Sequence, residues 1–100
     1  SMTRVYYIGD EVTAAGYRLA GADVRVPAPP EVGEVFRRAC SDGADVVLLS
    51  AALAPEVDPG ELSAALIAEA PLVAIVPDAF GRYPPPDVAR DVRLALGIES

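Results

Sequence analysis

Asp45-Val46-Val47-Leu48-Leu49-Ser50 is the stretch whose reading decides the fold. Its four central residues are apolar without a break. A strand with one wet face alternates apolar and polar side chains, whereas an uninterrupted apolar strand has to be covered on both faces, as in a parallel sheet between helices. Leu72-Val73-Ala74-Ile75-Val76, bounded by Pro71 and Pro77, has the same character. Outward from these two lie the remaining β runs. Arg4-Val5-Tyr6-Tyr7-Ile8 is a first strand ended by Gly9-Asp10, and Asp23-Val24-Arg25-Val26 is a short alternating run suited to a sheet edge.

Helix-length segments separate the four runs. After Ile8, Val12, Ala15, Gly16, Leu19 and Ala20 recur at helical spacing, with Asp10 as N-cap and Gly21 just past the end. On this reading Val12, Ala15 and Leu19 pack inward while Tyr17 and Arg18 project from the opposite side. Val32, Val35, Phe36, Ala39 and Cys40 mark a second helix, entered through Pro27, Pro29 and Pro30 and stopped by Gly43, with Glu34 one turn before Arg38 on the wet face. A stretch broken by Pro55 and Pro59 then leads into a third helix. Asp58 caps it, Pro59 opens it, Glu61 stands three residues after the cap, and Leu62, Ala65, Leu66 and Glu69 continue it. A Pro- and Gly-rich loop from Asp78 to Pro86 leads to a last helix whose apolar face is Val88, Val92, Ala95 and Leu96, closed by Gly97. The order β-α-β-α-β-α-β-α with right-handed crossovers specifies a small parallel sheet sandwiched by helices.

At 100 residues the chain fits one domain, drawn over residues 3–100, and Ser1 ahead of Met2 resembles a cloning remnant. Eight Lys and Arg, all of them arginine, stand against fifteen Asp and Glu, for a net charge of −7. Such a chain repels phosphate, which argues against a sequence-independent grip on nucleic acid. Without histidine and with one cysteine, the usual zinc and copper sites and any His-dependent triad are excluded, as is an internal disulfide. The longest apolar stretch, Val46 to Ala54, is broken by Ser50 and far short of the ~18–20 residues of a membrane span. Thr3-Arg4 leads directly into the first strand, so no signal peptide is expected.

Enzyme-like readings fare poorly. Asp10 and Glu11 sit at the carboxyl end of the first strand, where open parallel sheets bind ligands, and the pair could hold Mg²⁺ as in a phospho-receiver domain. That chemistry also needs an aspartate at the end of the third strand, where Ser50 stands, and a lysine, of which the chain has none. Asp10 as a helix cap, with Glu11 favouring the positive helix end, is the simpler account. Gly9, Gly16 and Gly21 do not match a phosphate-binding glycine pattern, Ser50 lacks a base, and Cys40 lies on an apolar helix face. No catalytic residue, metal ligand or cofactor site is therefore expected. Tyr17 with Arg18 suits a protein interface instead, an aromatic anchor beside a charge. Arg90 and Arg93, mixed with Asp87 and Asp91, read as a solvated face.

The run Ile8-Gly9-Asp10-Glu11-Val12-Thr13-Ala14-Ala15-Gly16-Tyr17-Arg18-Leu19-Ala20-Gly21 resembles the N-terminal signature of the F subunit of the V-type and archaeal A-type ATP synthases. That signature has an Ile-Gly-Asp turn, a threonine, then Gly-Phe-Arg-Leu-Ala-Gly; here Tyr17 replaces the phenylalanine. The likeness continues through Val46 to Ser50 and Leu72 to Pro77, and ends at Val92-Arg93-Leu94-Ala95-Leu96-Gly97-Ile98. The resemblance implies a doubly wound, receiver-like (Rossmann-like) three-layer sandwich on a four-stranded parallel sheet of order 2-1-3-4. It also implies a non-catalytic rotor subunit of the central stalk, bound to the coiled-coil shaft (the D subunit) and able to approach the catalytic head. Such a subunit is cytoplasmic, peripheral to the membrane and without a cofactor, and helps couple ATP hydrolysis or synthesis to proton or sodium transport. Gly9, Asp10, Gly16, Leu19 and Gly21 carry the family motif, with Gly16 and Leu19 expected to pack. Thr13, Tyr17 and Arg18 are the expected partner contacts, and the isolated chain is expected to be monomeric. The alternative is a degenerate receiver-like regulatory domain that binds a small ligand or protein near Asp10 and Glu11.

Overall fold

β3 (Val46–Ser50) runs through the middle of the sheet with all five residues buried, as its unbroken apolar sequence requires. A computed structural model of the chain describes residues 3–77. Around β3 stand β1 (Val5–Ile8), α1 (Glu11–Leu19), β2 (Asp23–Arg25), α2 (Val32–Ser41), α3 (Pro59–Ile67) and β4 (Leu72–Val76), with 3₁₀ turns at Pro29–Glu31 and Ala54–Glu56. The four strands form one all-parallel sheet in the order β2-β1-β3-β4. This is the doubly wound α/β fold and strand order expected from the sequence, with Asp23–Arg25 on an edge. The expected Asp78–Pro86 loop, the last helix and the closing Val92–Ile98 motif lie outside the described residues.

Strand alternation sorts the core into two clusters. Tyr6, Ile8, Val47, Leu49 and Val73 face one way and pack with Val32, Phe36 and Ala39 of α2, with Val57, and with Leu62 and Ala65 of α3. Tyr7, Val46, Leu48 and Val76 face the other way and pack with Ala14 and Tyr17 of α1. α2 thus buries the stripe its spacing predicts, Val35 and Cys40 joining at its margin. On its wet side Arg38 Nε donates to Glu34 Oε1 at 3.2 Å. α3 opens as expected, the Asp58 carboxylate accepting from the Glu61 amide at 3.0 Å. It ends at Ile67, so Glu69 falls beyond it. Ser50 caps no helix: its buried Oγ accepts from the Ala52 amide at 3.2 Å and closes the turn after β3.

α1 forms between its expected cap and stop, but its faces are reversed. Tyr17 is 5% exposed, whereas Val12 is 62% and Leu19 91% exposed, and Ala15 and Gly16 are also open to solvent. Tyr17 lies flat against Tyr7 of β1, ring centroids 4.3 Å apart and planes inclined by 15°. The inward face is therefore Ala14 and Tyr17, one small residue and one ring, set beside Val5, Ala22 and Val24. Counting apolar positions favours the Val12, Ala15, Leu19 stripe; the area a stacked aromatic removes from water, about 150–250 Å², favours the other face. Tyr17 as an exposed anchor and Leu19 as a packing residue are both corrected by this arrangement.

Candidate functional site

The β1–α1 turn places the motif residues by mutual packing. Tyr7 and Gly9 point to the same side of the sheet, and the Tyr7 ring folds over Gly9. An added Cβ at residue 9 would overlap Oη and Cζ of Tyr7, which is itself buried on every side. Glycine there lets the tyrosine hydroxyl reach Asp10, to whose Oδ1 it donates at 3.4 Å. The other Asp10 oxygen accepts from the Thr13 amide at 2.9 Å, so Asp10 is the α1 N-cap that the sequence indicates. Burial works against the Asp10 carboxylate, but the Thr13 amide and the hydroxyls of Thr13 and Tyr7 outweigh it and hold its pKa below the ordinary value. Burial first, then the neighbouring Asp10 charge, pushes the Tyr7 phenol upward.

At the other end of α1 the Gly21 amide donates to Arg18 O at 3.0 Å and the Ala22 amide to Tyr17 O at 3.0 Å. This is a Schellman closure, and Gly21 takes the left-handed φ of 94° that it demands. Gly9, Asp10 and Gly21 of the motif thus have structural roles within the chain. Gly16 does not: its φ is not in the left-handed region, and an added Cβ would meet nothing within 4 Å, so its expected packing role is corrected as well.

Of the expected contact residues, Arg18 is exposed and its Nη1 pairs with Glu11 Oε1 at 3.2 Å. Thr13 is half-buried, with Oγ1 out of reach of solvent, and Tyr17 is core. The structure thus gathers the three on one short helix without putting them on one surface.

Two concavities accompany this helix. Gly9, Asp10, Val26, Pro27, Ser50, Ala52 and Leu53 line a cleft of about 210 Å³ at the carboxyl ends of the strands, beside the β1/β3 switch point. On the opposite face, Tyr6, Arg25, Val35, Arg38, Ala39, Ser41 and Asp42 line a cleft of about 380 Å³. There the Tyr6 hydroxyl donates to the Asp42 carboxylate, and Arg4 reaches Asp42 O at 2.7 Å and Tyr6 Oη at 3.1 Å. The Tyr6 hydroxyl, then Arg4, holds the Asp42 carboxyl below its usual range. This knot ties the start of β1 to the end of α2, and sequence reasoning missed it. The adjacent tyrosines were its signal, since a strand sends Tyr6 and Tyr7 to opposite layers.

Among the described residues, no group of three or more Cys, Asp and Glu is gathered as metal ligands, and no helix is long and apolar enough to cross a membrane. No curated protein matches the chain. Residues 5–92, which include β1, the α1 motif and every strand of the sheet, match the family model of the ATP synthase (F/14-kDa) subunit. The chain belongs to that family, and is an accessory subunit of a V/A-type ATPase.

Proposed function

We propose that the chain is a non-catalytic central-stalk subunit of the rotor. It is held on the coiled-coil shaft (the D subunit), reaches toward the catalytic head, and helps couple ATP hydrolysis or synthesis to proton or sodium transport through the membrane ring. Family membership over residues 5–92 is the observation that carries this reading. The carboxyl end of the sheet supports it. Asp10 is occupied as a cap and the Ser50 hydroxyl closes a turn, so the polar groups a receiver-like enzyme would use serve the fold. At the interface Arg18 is the rim charge, while Thr13 and Tyr17 act from behind by seating α1 on the sheet. The subunit is cytoplasmic, peripheral to the membrane and monomeric when isolated. Purification of the intact complex through a tagged shaft tests this: the chain should elute with the shaft in stoichiometric amount. A shaft-containing complex that lacks the chain would overturn the assignment.

The cleft beside the switch point favours a second reading, a degenerate receiver-like regulator that takes a small ligand near Asp10 and Glu11. Titration with beryllofluoride and Mg²⁺ discriminates the two. Binding that Asp10→Asn abolishes would support the regulator; the stalk reading expects none.

A further inference from the structure

α1 is apolar on both faces. Ala14 and Tyr17 seat it on the sheet, and Val12, Ala15, Gly16 and Leu19 form a second stripe at i, i+3, i+4 and i+7 that faces solvent. A helix apolar all round belongs in an interior, with neighbours on two sides. Here the sheet supplies one. Gly16 says what kind of neighbour supplies the other. Glycine at the middle of a nine-residue helix weakens it relative to almost any other residue. Nothing in the chain requires it, since a Cβ at this position would enter open space. Along the row Val12, Gly16, Ala20, the missing side chain leaves a notch flanked by Val12 and, on the adjoining row, by Ala15 and Leu19. Rows four residues apart are the ridges and grooves through which helices interlock, and small residues in them let backbones approach closely.

We propose that this outer face of α1 is the seat of an α-helix from the coiled-coil shaft, packed backbone to backbone over Gly16 with Val12 and Leu19 clasping its sides. The inference rests on the central-stalk reading above and assigns the surface. The charges of α1 itself, Glu11 and Arg18, are joined to each other, so the seat presents an apolar strip with a neutral border. Around it the chain carries a net charge of −7. That balance repels a second copy and draws a helix whose flanks are basic. The occupant is therefore a partner helix with an apolar ridge and Lys or Arg beside it.

Gly16→Ala separates this role from a structural one, because a better helix former at an open site stabilises the isolated chain while filling the notch. The full chain is titrated with the purified shaft protein, alongside thermal melts. The parent should bind. Gly16→Ala should melt at the same temperature or higher yet bind at least tenfold more weakly, and Leu19→Ser should melt like the parent and bind as poorly. Raising the salt concentration should weaken the parent complex. If both variants bind the shaft as tightly as the parent, the seat lies elsewhere and the stalk reading stands. If the parent itself fails to bind the shaft, the stalk reading falls and the seat with it. Self-association of the parent that Leu19→Ser abolishes would overturn the choice of occupant.

Discussion

Truncating Tyr17 to alanine distinguishes a helix seated by its aromatic from one seated by its aliphatic stripe. The ring is 5% exposed and stacked on Tyr7 at 4.3 Å. An aromatic side chain buries about 150–250 Å². At about 25 cal/mol per Å², removing most of that area costs on the order of 3–4 kcal/mol. Loss of the stacked pair adds about 0.5–1.5 kcal/mol. The sum agrees with the ~3–5 kcal/mol seen when large aromatics in cores become alanine. Against a total stability of about 5–15 kcal/mol for a domain of this size, that is a large fraction. Urea and thermal unfolding followed by far-UV circular dichroism, with Leu19→Ala beside it, is the assay. Tyr17→Ala should lower the thermal midpoint by roughly 12–30 °C, at about 4–8 °C per kcal/mol. Leu19→Ala, changing a side chain 91% exposed, should stay within about 0.5 kcal/mol of the parent. If Tyr17→Ala loses less than about 1 kcal/mol, or Leu19→Ala loses more than Tyr17→Ala, α1 is seated on its other face and the seat proposed over Gly16 disappears.

Gly9→Ala drives a methyl into the buried Tyr7 ring, and overpacking of this kind should cost about 1–3 kcal/mol in a denaturant titration. Asp10→Ala removes the α1 cap and should cost about 1 kcal/mol, while Asp10→Asn should keep most of it. Because the folded carboxyl of Asp10 titrates below its unfolded value, its stabilisation is present above pH ~4 and is lost as pH falls through the folded value. An acid titration of Asp10→Asn should lack that slope. Tyr7 behaves in the opposite sense. Its folded pKa is raised, so above pH ~10 the unfolded phenol gives up its proton while the buried one keeps it, and stability should fall by up to about 1.4 kcal/mol per pH unit. Tyr7→Phe should flatten that alkaline slope.

What the sequence made legible is what local chemistry decides. Val46–Ser50 declares a covered central strand by its lack of polar residues. Asp10 and Gly21 bracket α1 because a carboxylate must meet the free amides at one end and a left-handed residue must close the other. Asp58, Pro59 and Glu61 announce α3 in the same way. The Arg4, Tyr6 and Asp42 knot was not legible, because it joins residues 36 and 38 positions apart and no periodicity links them. Nor was the stacking of Tyr17 on Tyr7, which depends on β1 turning that ring toward the layer α1 will occupy.

The misplaced face of α1 has a different cause. Periodicity finds an apolar stripe by contrast with a polar one, and α1 offers little contrast: Val12, Ala15 and Leu19 on one side, Ala14 and Tyr17 on the other. In α2 the same procedure succeeds, because Glu34, Arg37 and Arg38 mark the wet side and bind one another there. A helix that must meet water on one face carries such markers. α1 carries Glu11 and Arg18, joined to each other, and otherwise shows solvent a stripe ending in a leucine 91% exposed. The sheet can take only one of the two apolar faces, and it takes the one with the ring. An isolated chain gains nothing from keeping the second apolar, and it loses helix stability by keeping a glycine in the middle of it. Both features make sense together in a subunit whose first helix lies between its own sheet and another protein.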